Sequence, residues 1–206
     1  HITSVLKGAK PNVPEVPYTF NGIDFVVDEK EASDAIKRMI DLKSLQNTVN
    51  KLGIDGLRES TTKKLFDAGV TCLKDLFALD YERLVALRID GFGHKKISSI
   101  ISAIKKSKDG LDCLSLMMAS NSFGKGLSYK SLKLLQNRFP EFLTETPTEE
   151  QVIEIQGIGT EMAKSFVNGI EIFKLYIRSN DLEHVCKKPS KSIDEPKPKS
   201  GALQGV

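Results

Sequence analysis

Twice in this chain two glycines bracket one large apolar residue, and both times the flanks repeat too. The first copy is Leu87-Arg88-Ile89-Asp90-Gly91-Phe92-Gly93-His94 and the second is Ile153-Glu154-Ile155-Gln156-Gly157-Ile158-Gly159-Thr160. At this offset of 66 residues, apolar positions match at 87/153, 89/155, 92/158, 97/163, 100/166, 101/167 and 104/170. The downstream spacing is that of a helix face. Each copy therefore predicts a helix, a very tight turn and a second helix. Glycine at the turn permits φ > 0, where a side chain would clash. The turn amides and the N-terminus of the following helix form a cluster of N–H donors suited to a phosphate oxygen. The residue between the glycines, Phe92 or Ile158, is expected to pin the turn to the core.

Two weaker copies complete a series. Leu52-Gly53-Ile54-Asp55-Gly56-Leu57-Arg58 overlays the first copy at an offset of 35, with Arg58 where the second glycine stands. Ser122-Phe123-Gly124-Lys125 overlays it at an offset of 31, with Phe123 on Phe92, Leu132 on Ile101 and Leu135 on Ile104. Four units at spacings of 35, 31 and 35 residues indicate a repeat architecture. The remaining punctuation fits. Gly69 is a C-terminal cap, Asp80 an N-cap, Pro140 a helix stop, and Thr148-Glu149-Glu150-Gln151 a capping box. Helices are expected over about 29–52, to Ala68, 73–77, 81–87, 94–106, 111–118, and from Thr160 to Tyr176 or Arg178, with a shorter one reaching Val185.

The ends differ from this body. Pro11, Pro14 and Pro17 make an extended linker, and Tyr18 to Val27 reads as a small β-hairpin turning at Asn21-Gly22. From Cys186 onward five lysines (187, 188, 191, 197, 199) face Asp194 and Glu195, so this tail carries the whole formal net charge of +3 and leaves 1–185 neutral. Any polyanion contact must therefore come from local geometry. Cys72, Cys113 and Cys186 are widely spaced and form no CxxC pair, so neither a zinc site nor a disulfide framework is expected. Cys72 and Cys113 read as buried thiols, which fits a reducing compartment. No apolar run spans a bilayer and no signal peptide is visible. A chain opening on His1 reads as a piece of a longer one.

Four such hairpins in about 130 residues resemble the helix-hairpin-helix domain of NAD-dependent DNA ligases, over roughly residues 45–185. The resemblance implies a mainly α fold of tandem helix-hairpin-helix repeats, with a small N-terminal β-hairpin segment and a disordered C-terminal tail. It divides the chain into 1–28, the end of an oligonucleotide-binding barrel, linker and β-hairpin; 29–185, the DNA-binding domain; and 186–206, a linker and the start of a truncated BRCT-like domain. Bacterial members carry a four-cysteine zinc finger before the first hairpin. Residues 11–45 contain no cysteine, so the variant is similar to zinc-finger-less viral or phage-like members, and no metal is expected.

The full-length family adenylates a lysine with NAD, with Mg, and seals nicks in replication and repair. Nucleotidyltransferase and barrel domains are expected upstream. No Lys-x-Asp-Gly motif stands here, so this chain alone should be inactive, bind no cofactor and hold no catalytic residue. The implied partner is nicked double-stranded DNA, bound without sequence preference by a monomer inside the cell, in the bacterial cytoplasm or at a viral replication site, with no membrane. The candidate DNA-binding residues are Gly56, Arg58, Gly91, Gly93, Lys95, Gly124, Lys125, Gly157, Gly159 and Thr160. Two other readings stay open: a non-catalytic interaction scaffold, favoured by the neutral body, and an accessory domain of a repair nuclease or helicase.

Overall fold

The computed structural model describes residues 18–20, 25–28, 30–124 and 126–187. It is mainly helical, and the described residues fall in two compact units, those up to 110 with 118–121, and 111–117 with those from 122 onward. The N-terminal hairpin forms as expected. Strands β1 (Tyr18–Phe20) and β2 (Phe25–Val27) are antiparallel, with Tyr18 opposite Val27. Its Asn21-Gly22 turn, the proline linker and the lysine tail beyond 187 lie outside the described residues.

In the first unit, α1 (Asp34–Lys51) buries Leu45, Thr48 and Val49. It stops because the chain turns left-handed at Gly53, φ +60°. There the Ile54 N–H reaches back to the Val49 carbonyl and the Gly53 N–H to that of Asn50, which satisfies the orphan carbonyls of the last turn. The same pair of bonds ends α2 (Glu59–Asp67) at Gly69, from Val70 to Leu65 and from Gly69 to Phe66. Helices α3 (Leu73–Phe77), α4 (Tyr81–Ala86) and α5 (His94–Asp109) follow. Asp80 caps α4 as expected, accepting from the Arg83 N–H at 2.8 Å. The core gathers Leu65, Phe66, Leu73, Leu76, Leu84, Ile97, Ile100 and Ile104.

Helix α6 (Cys113–Ala119) leads into the second unit, formed by α7 (Tyr129–Arg138), α8 (Glu149–Ile153), α9 (Thr160–Ser179) and α10 (Glu183–Cys186). Thr148 caps α8 with the expected box, its N–H donating to Gln151 at 2.9 Å and its hydroxyl accepting from the Gln151 N–H at 3.3 Å. Four aromatic rings make the centre: Phe123 packs on Phe166 and Phe173 with centroids 5.5 and 5.4 Å apart, and Phe142 on the same two at 5.9 and 6.3 Å. Gly169 on α9 lets this happen. A Cβ there would stand 2.6 Å from the Phe123 ring and 2.7 Å from the Ser122 carbonyl oxygen.

Two expectations about the cysteines are corrected. Cys113, at the start of α6, is bonded to Cys186, at the end of α10, across 73 residues, with their Cα atoms 4.6 Å apart. Regular structure runs through Cys186, the last residue of α10. Cys72 remains a half-buried thiol, with burial raising its pKa above the ordinary thiol value ahead of the Asp75 contacts.

Candidate nucleic-acid interface

Three of the four turns share one geometry. The glycine before the apolar residue is left-handed at Gly56, Gly91 and Gly157, with φ of +80°, +76° and +89°. The next N–H, of Leu57, Phe92 or Ile158, closes the turn onto the carbonyl of Ile54, Ile89 or Ile155 at 3.2, 3.1 and 3.0 Å. One residue later an extended N-cap, Arg58, Gly93 or Gly159, opens the helix without a side-chain cap. Its carbonyl accepts the first helical bond, from Thr62, Ile97 or Ala163. The amides ahead of that bond have no partner within the helix.

The third turn obeys the same code in a register four residues later than expected. Its left-handed glycine is Gly126 (φ +107°), its pin is Leu127, and Ser128 is the extended N-cap whose carbonyl accepts from the Leu132 N–H at 2.9 Å. Leu132 and Leu135 then stand five and eight residues past the pin, as Ile97 and Ile100 stand past Phe92, and all are buried. The overlay of Phe123 on Phe92 is therefore corrected, and the spacings become 35, 35 and 31. Phe123 is a core residue instead. The buried offsets of five and eight, applied to Leu132 and Leu135, are the sequence signal that finds Leu127. Gly124 lies upstream of the turn, exposed and left-handed (φ +68°), and Lys125 lies outside the described residues.

The turns differ in what they present. Leu57, Leu127 and Ile158 are sealed at 6%, 8% and 6% exposure. Phe92 departs from the expected pin: it is only half-buried, and the Lys96 ammonium stands 4.2 Å from its ring centre. That cation–π contact fixes the lysine beside the turn. The first turn of α5 holds His94, Lys95 and Lys96 and no acid, whereas α9 opens with Thr160 and Glu161. Tyr81 and His94 share a hydrogen bond between the phenol and Nδ1.

Lys64, from the helix after the first turn, reaches the second. Its Nζ donates to the Asp90 carbonyl at 2.8 Å and lies 3.8 Å from the exposed Asp90 carboxylate. Lys64 stands 26 residues before Asp90, so sequence spacing alone gives no sign of this contact. At the third turn Ser128 Oγ accepts from the Ser131 N–H, so one donor there is already occupied.

The candidate residues thus gather by unit. Gly56, Arg58, Gly91, Gly93 and Lys95 are exposed in the first, and Gly124, Gly157, Gly159 and Thr160 are exposed in the second. A cleft of about 630 Å³ runs along α1 to the first turn, lined by Lys43, Asn47, Asn50 and Arg58 among others. Among the described residues no three His, Cys, Asp or Glu side chains are grouped to hold a metal ion, and no helix is long and apolar enough to cross a membrane.

Comparison with known proteins agrees with this geometry. The family described as SAM-like helix-hairpin-helix tandem matches residues 52–106, which span the first and second turns. The chain is 26% identical over 187 residues to a DNA ligase of Acanthamoeba polyphaga mimivirus, covering 86% of this chain and 28% of the relative. It is 26% identical over 179 residues to the putative DNA ligase 205R of Invertebrate iridescent virus 6, with coverages of 84% and 27%. Against a Clostridium perfringens DNA ligase it is 34% identical over 126 residues, with coverages of 60% and 18%. The chain therefore spans less than a third of the length of these relatives. No solved structure matches.

Proposed function

We propose that this chain, which carries a helix-hairpin-helix domain of the DNA ligase type, grips duplex DNA by its phosphates while catalysis takes place elsewhere in a longer protein. The observation that carries the reading is the second turn. Its amides lack helical partners, Lys64, Lys95 and Lys96 lie on or beside it against the single carboxylate of Asp90, and no acid occupies the first turn of α5. Backbone amides and lysines recognise phosphate without reading bases. That suits an enzyme that must act at any nick. The reading extends to the whole protein as an NAD-dependent, nick-sealing ligase, whose catalytic lysine, cofactor and metal sites belong to parts outside this chain. The physical role left to this chain is to hold the duplex in place for them.

Affinity of this kind has a measurable signature. With about four to six phosphates contacted, the logarithm of the binding constant should fall against the logarithm of salt concentration with a slope of about −4 to −5. Fluorescence-anisotropy titration of a nicked duplex at several salt concentrations tests this. A flat salt response, or no binding at low salt, contradicts the reading. In that event the interaction scaffold gains ground, supported by the neutral body and by Ile172 and Leu175, which are 56% and 63% exposed on α9.

A further inference from the structure

The Cys113–Cys186 bond has a topological meaning that its sequence positions hide. Cys113 begins α6, the helix leading to the third turn, and Cys186 ends α10, which follows the long helix of the fourth. The bond therefore joins the first and last helices of the second unit and encloses both of its turns in one covalent loop. Without it, α10 is held by its flanks. Leu182 is buried at 4% exposure, its N–H bonds the Ile177 carbonyl at 2.7 Å, and Val185 is half-buried. Only four residues long, α10 cannot be stable on its own account. Its attachment depends on these few contacts and on the bond.

We propose that Cys113–Cys186 is a reversible redox clasp on the second pair of turns. Its formation converts two thiols to one disulfide with release of two protons and two electrons. The oxidant is a small-molecule disulfide, itself reduced to two thiols. One cysteine thiolate attacks it and expels the first small thiolate, giving a mixed disulfide. The other cysteine thiolate then attacks the protein sulfur of that mixed disulfide and expels the second. Cys186 is the more accessible partner, half-buried against 7% exposure for Cys113, and is the first to react. Cys72 belongs to the first unit and takes no part.

Closing a loop of 73 residues restricts the unfolded chain strongly. The clasp consequently sets the temperature at which the second unit opens. On the DNA-binding reading above, it also sets the temperature up to which the third and fourth turns can engage a duplex. The sulfur chemistry itself does not depend on that reading.

The test equilibrates the whole 206-residue chain with oxidised glutathione, or with dithiothreitol, and then alkylates it in denaturant for peptide mass spectrometry. The oxidised sample should carry one modification, by the alkylating agent or by glutathione, on Cys72, and a linked peptide pair holding Cys113 and Cys186. The reduced sample should carry three. Reduction should lower the unfolding midpoint of the second unit by roughly 20 °C. Cys72→Ser should keep this difference and Cys186→Ser should abolish it. Three adducts in the oxidised sample, or an equal midpoint in both redox states, overturn the clasp. Nicked-duplex binding measured between the two midpoints separates the two ideas. Loss only on reduction supports both, equal binding in both states overturns the clasp's control of the turns, and no binding in either state refutes the DNA reading while leaving the sulfur result to stand.

Discussion

The second and fourth turns carry the same Gly-Φ-Gly code and put it to different ends. At the fourth, Ile158 is sealed and α9 is pressed onto Phe123 through Gly169. At the second, Phe92 is half-open under a lysine, and the helix that follows begins with His94, Lys95 and Lys96. The code fixes the backbone of the turn, because a left-handed residue followed by an extended N-cap allows only a narrow path. It does not fix what surrounds the turn. The second gathers lysines and open amides around its turn, and the fourth packs its turn and helix against the core.

The largest effect expected from this contrast is Gly169→Ala. The added methyl meets a backbone oxygen that cannot yield, so the second unit should lose about 3 kcal/mol, read by denaturant melts. The position eleven residues past Phe92 is already an alanine, half-buried Ala103, and Ala103→Gly should cost only about 1 kcal/mol, through helix propensity. Comparable losses at the two sites would erase the distinction in packing. Gly91→Ala and Gly157→Ala, by contrast, should cost alike, about 1–2 kcal/mol each, since both place a side chain in the left-handed region.

Charge sharpens the comparison next. Lys95→Glu should weaken nicked-duplex binding by roughly three- to tenfold at low salt, whereas Glu161→Lys should tighten it by about twofold. The reverse ranking would make the fourth turn the main grip. Ser128→Ala should destabilise the second unit by about 1 kcal/mol through loss of the cap on α7, the corrected third turn.

The smallest effect concerns acid. Burial pushes the Asp75 carboxyl up, but hydrogen bonds from the Thr71 N–H and hydroxyl and from Cys72 outweigh it and leave its pKa below the ordinary aspartate value. A lowered folded pKa means stability that is present above the unfolded pKa and lost as pH falls through the folded one. Asp75→Asn should therefore lower stability at neutral pH and shrink the pH dependence of the first unit's melting in the acid range.

Much of the architecture was legible because the signals were local. Gly69, Asp80 and Thr148 mark helix ends through bonds to residues three to five away, and the apolar spacing after each turn marks the face that is buried. The third register was not legible from the turn itself. Ser122-Phe123-Gly124 imitates Gly-Φ-Gly, while Gly126-Leu127-Ser128 replaces the second glycine with a capping serine. The exposure of Phe92, the reach of Lys64 to Asp90 and the pairing of Cys113 with Cys186 depend on elements that meet only in the folded chain. No local pattern announces them.

On the DNA-binding reading, the amides at the second and fourth turns are used by a ligand rather than by the fold. Gly93 and Gly159 allow a clean test, because both have negative φ in the extended region and a Cβ at either would meet nothing within 4 Å. Valine is a poorer N-cap than glycine, so the doubly substituted Gly93→Val, Gly159→Val chain should melt roughly 5 °C below the parent and still be folded at about 25 °C. It should nonetheless bind a nicked duplex at least roughly tenfold more weakly, because the valines cover the donors that phosphate would approach. A folded variant that binds as tightly as the parent would contradict this use of the amides.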